Sequence, residues 1–136
     1  MNLTTLLCGW IFLAILGIAN GILRETLLRR WFGARSLPLS GLTLCSAIVI
    51  AILVMNPAQG LASGQALGVG LIWVAMTIIF ECVFGRKQGK TWMEICRAYT
   101  LHDGNLWSVV LLVIAVTPWI ASRVEEVLAV FTRVLA

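Results

Sequence analysis

Three stretches of this chain carry no charged side chain: residues 1–23, 36–80 and 104–122. A bilayer core about 30 Å thick is crossed by about 20 helical residues. The first and last stretches each match one crossing. The middle stretch is long enough for two, and Asn56-Pro57 within PAQGLASG breaks it near its centre. Helices are the element this pattern dictates, because an open sheet edge leaves backbone polar groups unsatisfied in lipid. Composition agrees. Of 136 residues, 60% are hydrophobic and 12% charged, about half the charge a soluble domain uses to solvate its surface. The expected fold is therefore all-α, a single membrane domain over 1–136 with four transmembrane helices at about 3–23, 39–56, 65–84 and 106–121. The first stretch lacks a basic n-region and outruns a secretory h-region, so it reads as a retained helix rather than a cleaved signal.

Loop charges orient these helices. Arg24, Arg29, Arg30 and Arg35 follow the first, and Arg86, Lys87, Lys90 and Arg97 follow the third. The loop between the second and third carries no Lys or Arg, and the tail carries Arg123 and Arg133. Positive charge marks the cytoplasmic side, which puts both loops inside and both termini outside. Eight against two also argues against insertion in both directions. The net charge of +4 thus reports orientation and gives no sign of a nucleic-acid partner. Trp31, Trp92 and Trp107 fall near the inner interface and Trp119 near the outer one, as interface anchors; Trp10 and Trp73 lie deeper and should pack between helices. Pro118 should kink the outer end of the fourth helix.

Two further helices are signalled by capping-box spacing. In TWMEICRAY, Thr91 and Glu94 have this spacing, and Trp92, Ile95, Cys96 and Tyr99 line one face, read as a short helix on the inner surface or an ordered loop. In SRVEEVLAVFTRVLA, Ser122 and Glu125 repeat the spacing before an apolar stripe of Val124, Val127, Leu128, Phe131, Val134 and Leu135. This C-terminal amphipathic helix either lies on the membrane, the bundle or a partner, or continues the fourth helix straight.

The first and third helices run in the same direction, so equal distances from their inner ends mean similar depths. Glu81 lies about one turn before the inner end of the third, among Phe80, Cys82, Val83 and Phe84; Asn20, Arg24 and Glu25 occupy the matching level of the first. A carboxylate in apolar company demands a partner, and guanidinium matches it in a two-pronged bond. The expectation is an Arg24–Glu81 pair with Asn20 beside it; the other reading is that both charges reach separately to the headgroups. Gly17 and Gly21, and Gly64 and Gly68, have the spacing that permits close helix packing. The cluster is read first as structural and second as a vestibule for a ligand or ion, since no titratable group lies near the midplane where coupled carriers place their sites.

No catalytic constellation stands out, no metal site and no cofactor motif. His102 sits in LHDGN with Cys82 and Cys96 on the same side, too scattered for a metal. Cys8, Cys45, Cys82 and Cys96 read as reduced thiols, and GRKQGK lacks the spacing of a phosphate loop, so its lysines are assigned to anionic lipid headgroups.

The string NGILRE, the later FECVFGRKQGKTW, and GNLW followed by a proline resemble a family of small, functionally uncharacterised four-helix bacterial inner-membrane proteins. The resemblance implies the same layout and a common inner-face polar cluster, and it implies no activity. Small multidrug transporters are similar only in helix count: their carboxylate lies within the first helix, where this chain has no acid before Glu25. The expected function is a non-catalytic accessory, assembly or self-associating subunit whose partners are membrane lipid and a second copy or another membrane chain. The alternative is a small oligomeric transporter or channel; a lipid-modifying enzyme ranks third, for want of a nucleophile–base pair.

Overall fold

The computed structural model describes residues 3–55, 59–101 and 104–135; Asn56-Pro57 and His102 therefore lie outside the described residues. The architecture is all-helical, with no strand among the described residues. Helix α1 spans Leu3–Leu23, then a single π turn over Arg24–Leu28 leads into the short α2, Arg29–Phe32. Helix α3 is Ser36–Met55, α4 Ser63–Lys87, α5 Trp92–Arg97 and α6 Trp107–Leu135. Three helical runs are long and apolar enough to cross a membrane: Leu3–Met55, Ser63–Lys87 and Trp107–Leu135.

The first run is not straight. Fifty-three residues of unbroken helix would extend about 80 Å, yet Asn20 Nδ2 lies 2.7 Å from Ser40 Oγ. The chain reverses at Gly33, whose φ of 53° and ψ of −123° belong to a region only glycine enters at no steric cost. α3 therefore folds back along α1.

α6 is the hub, packed against both α3 and α4, while α1 lies at the periphery against α3 and α4. Buried Leu44, Ile48, Ile52, Val69, Trp73, Val110 and Ile114 form the core. Two glycines bring helices close: a Cβ on Gly70 would run into the Ala115 carbonyl, and one on Gly41 would sit 2.7 Å from Leu106 Cβ. Trp73, 1% exposed, lies over Gly9 and donates its indole N–H to Leu6 O at 3.0 Å; Trp10 donates to Thr77 Oγ1 at 3.2 Å. Residue numbers rise together in these two contacts, so α1 and α4 are parallel, and both deep tryptophans pack between them.

Loops 24–35 and 86–97 share one end of the bundle, where Arg24, Lys90 and Glu94 border the same cavity. At the other end, Ser63 Oγ donates to Glu126 Oε1 at 2.8 Å. The expected cap at Ser122 is not there. α6 runs unbroken through Pro118 to Leu135, and Ser122 is buried mid-helix, donating to Trp119 O. A capping residue needs non-helical backbone, and no glycine interrupts the run; α6 continues as one helix.

The capping box at α5 is formed. Thr91 Oγ1 accepts from Glu94 N at 3.3 Å, and Thr91 N donates to Glu94 Oε2 at 2.7 Å. The Thr91 backbone N–H, and after it the Thr91 hydroxyl, hold the Glu94 carboxyl below its ordinary range. The box is therefore present above the unfolded-state value and opens only as pH falls through the lowered one. Thr91→Ala is expected to raise amide exchange at Glu94 about fivefold, read by hydrogen exchange; unchanged protection would show that the cap contributes nothing.

Candidate functional site

α1 and α4 touch where Leu6, Gly9 and Trp10 meet Trp73, Thr77 and Phe80, and then separate. Beyond Trp10 a cleft of about 390 Å³ opens between them. Ala14, Gly17 and Gly21 line its α1 wall; Thr77, Phe80, Glu81 and Phe84 line its α4 wall. Its floor is Ser40, Leu44 and Ile48 of α3 with Trp107, Val110 and Ile114 of α6. The deep end is apolar. A polar layer of Asn20, Ser40, Glu81 and Trp107 follows, and Arg24, Lys90 and Glu94 stand at the mouth.

The expected cluster is partly assembled. Asn20, Arg24 and Glu81 all border this cleft, but Arg24 and Glu81 form no ion pair. Arg24 Nε instead lies 3.2 Å from Glu25 Oε1, and Arg29 Nη1 lies 2.9 Å from Glu25 Oε2. Glu81 accepts from Tyr99 Oη at 3.1 Å. The cause is the splay of the helices: the cleft lies between the two charges, and each finds a nearer partner. The π turn supplies one of them, since its closing bond from Arg29 N–H to Arg24 O keeps Arg24, Glu25 and Arg29 together. Asn20, on α1, is tied to α3, donating to Ser40 Oγ and receiving the Thr43 hydroxyl at 3.4 Å.

Within this chain, Gly17, Gly21, Gly64 and Gly68 bring no second helix close. Nothing lies within 4 Å of where a Cβ on any of them would sit. Gly17 and Gly21 bound the cleft, and helix-to-helix approach falls to Gly9, Gly41 and Gly70. Of the interface anchors, Trp31 and Trp92 are exposed, Trp92 beneath the Arg86 guanidinium at 5.4 Å, and Trp119 lies by Arg123. Trp107 departs from that set. Its Nε1 is buried and has no hydrogen-bond partner, although the indole stands beside both Glu81 and Tyr99.

Tyr99 escaped notice as a site residue. It shares its helix face with Trp92 and Cys96, which are exposed, but it is half-buried and turned onto Glu81. Burial, and next the facing Glu81 carboxylate, push its phenol well above the ordinary range, so it remains a proton donor to that carboxylate. The available signal was that the chain's one tyrosine follows a capped helix joined by a short loop to α6. Ser108 Oγ, donating to Tyr99 O, and Asn105 Nδ2, donating to Ala98 O at 2.7 Å, hold that connection in place. Gly85 beneath Ile95 seats α5 against α4, 3.2 Å from a Cβ position.

Among the described residues, no group of three or more His, Cys, Asp or Glu lies together, and the four cysteines are free. Chemically, the arrangement offers an apolar chamber, aromatic walls and a few polar groups at one rim. That is the make-up of a small-molecule binding site. Compared with family models, curated proteins and solved structures, the chain shows no match.

Proposed function

We propose that this protein is a non-catalytic integral subunit of the bacterial cytoplasmic membrane, crossing it four times with both termini outside, and that it holds an amphiphilic molecule in the cleft between α1 and α4. The reversal at Gly33 supports four crossings, since it divides the first apolar run into two legs of 21 and 20 residues, each near the bilayer requirement. The inner placement of loops 24–35 and 86–97 rests on their charge. Membrane lipid and a further membrane chain, a second copy or another subunit, are the partners this reading implies.

One observation carries it: Trp73 closes the bundle beyond the cleft's apolar end. The cleft's apolar depth ends below Leu13, Ile48 and Ile114, and past them Trp73 fills the space against Gly9, leaving a void of only about 10 Å³. A cleft closed at its apolar end suits holding rather than conduction. Transport is the second reading, favoured by the polar mouth; it requires Trp73 to move, and flux of a probe across reconstituted vesicles would establish it.

Gly17 supplies the test. A side chain there meets open space, so Gly17→Leu should fold normally while filling the cleft. The expected result is an unchanged thermal midpoint with several-fold less amphiphile in organic extracts of the purified protein, read by mass spectrometry. Equal amounts of the same molecule in variant and parent would dismiss the cleft as the site.

A further inference from the structure

We infer that the occupant is a single-chain amphiphile with an uncharged hydroxyl head, of the monoglyceride or long-chain alcohol class, its hydroxyl bridging Trp107 and Glu81. This rests on the reading of the cleft as a binding site and specifies its ligand. The geometry sets two complementary demands side by side. Trp107 Nε1 is a buried donor with no acceptor at full hydrogen-bond distance and angle, its indole leaning only loosely on Glu81 and Tyr99, and a donor so incompletely met costs free energy until something accepts from it. Glu81, half-buried on the facing wall, takes one hydrogen bond from Tyr99, whereas a carboxylate has room for about four. A hydroxyl both accepts and donates, so one such group answers both.

Other heads answer less. An ammonium group would suit Glu81 but has no lone pair for Trp107. A phosphate could accept from Trp107 but would bring its charge against the Glu81 carboxylate, and like charges at close range disfavour each other. The cations at the mouth do not reverse this. Arg24 is held by Glu25, and Lys90 stands near Glu94 as well as Glu81. The chamber limits the tail: about 390 Å³ is at the small end for ligand sites and suits one chain rather than two. Gly17 and Gly21, with open space before them, leave a seam between α1 and α4 through which a chain could pass from the bilayer.

The test uses the full-length protein in a mild detergent, with bound molecules counted by native mass spectrometry. Four probes share one alkyl chain and differ in head: a glycerol monoester, a quaternary ammonium, a phosphate monoester and the bare alkane. The monoester should be retained at least about tenfold better than the alkane and ahead of both charged probes. Trp107→Phe should weaken the monoester about fivefold and leave the alkane unchanged; Glu81→Gln serves if that variant does not fold. Equal retention of all four, or preference for either charged head, overturns the hydroxyl assignment while leaving the cleft as a binding site. Failure of every probe to bind overturns both.

Discussion

Replacing Gly70 with alanine is expected to loosen the bundle by about 3 kcal/mol, the upper part of the usual range for overpacking. The added methyl would fall on the carbonyl of Ala115, a backbone atom that cannot rotate aside. Relief requires α4 and α6 to part, and this pair forms the most extensive helix contact in the fold. Val69 and Trp73 on one helix and Val110, Leu111 and Ile114 on the other would lose close packing together. In lipid that loss is severe, because helices associate through packing rather than through a hydrophobic drive. Gly64→Ala is the control, since its methyl meets open space and improves helix propensity. Thermal unfolding in mild detergent should show a marked drop in midpoint for the first variant and none for the second. Equal midpoints would mean that the Gly70–Ala115 contact is absent.

Trp73→Ala should cost still more, about 3–5 kcal/mol, as for other aromatic residues deleted from a core. Trp73 is fully buried and bridges α1 to α4 twice over, by its ring against Gly9 and by its N–H to Leu6 O. α1 makes few other contacts with α4, so the seam between these two helices should open first. Trp73→Phe separates the two contributions: it keeps most of the ring and gives up the hydrogen bond, and should cost only about 1 kcal/mol. Unfolding of the two variants followed by fluorescence of the remaining tryptophans, Trp10 among them, would read both effects. A Trp73→Ala midpoint matching that of Trp73→Phe would remove Trp73 as the element holding α1 in place.

The candidate site was half legible. Asn20, Arg24 and Glu81 do border one cleft, because their depth follows from helix length. Their pairing was not legible, because helical spacing names the residues that share a face and says nothing of how far the opposite face stands away. The sequence places Tyr99 on the face of a short surface helix or ordered loop and Trp107 in the aromatic belt at the inner interface. The fold of the α5–α6 connection turned both inward instead.

The chain's uncharged runs and loop charges determined by themselves the all-helical class and the gathering of basic loops at one end. The reason is that these depend on element length and charge, which are properties of single segments. The Thr91–Glu94 box was decided the same way, within four residues. Tertiary structure decided which side of each helix faces protein. Ile48 is 1% exposed and Ile50 62%, although the two are chemically identical, because an apolar helix in lipid satisfies either neighbour equally well and its sequence marks no inward face. Only close approach separates them, at Gly70 on Ala115 and Trp73 on Gly9, and the space left where α1 and α4 part is a consequence of those contacts.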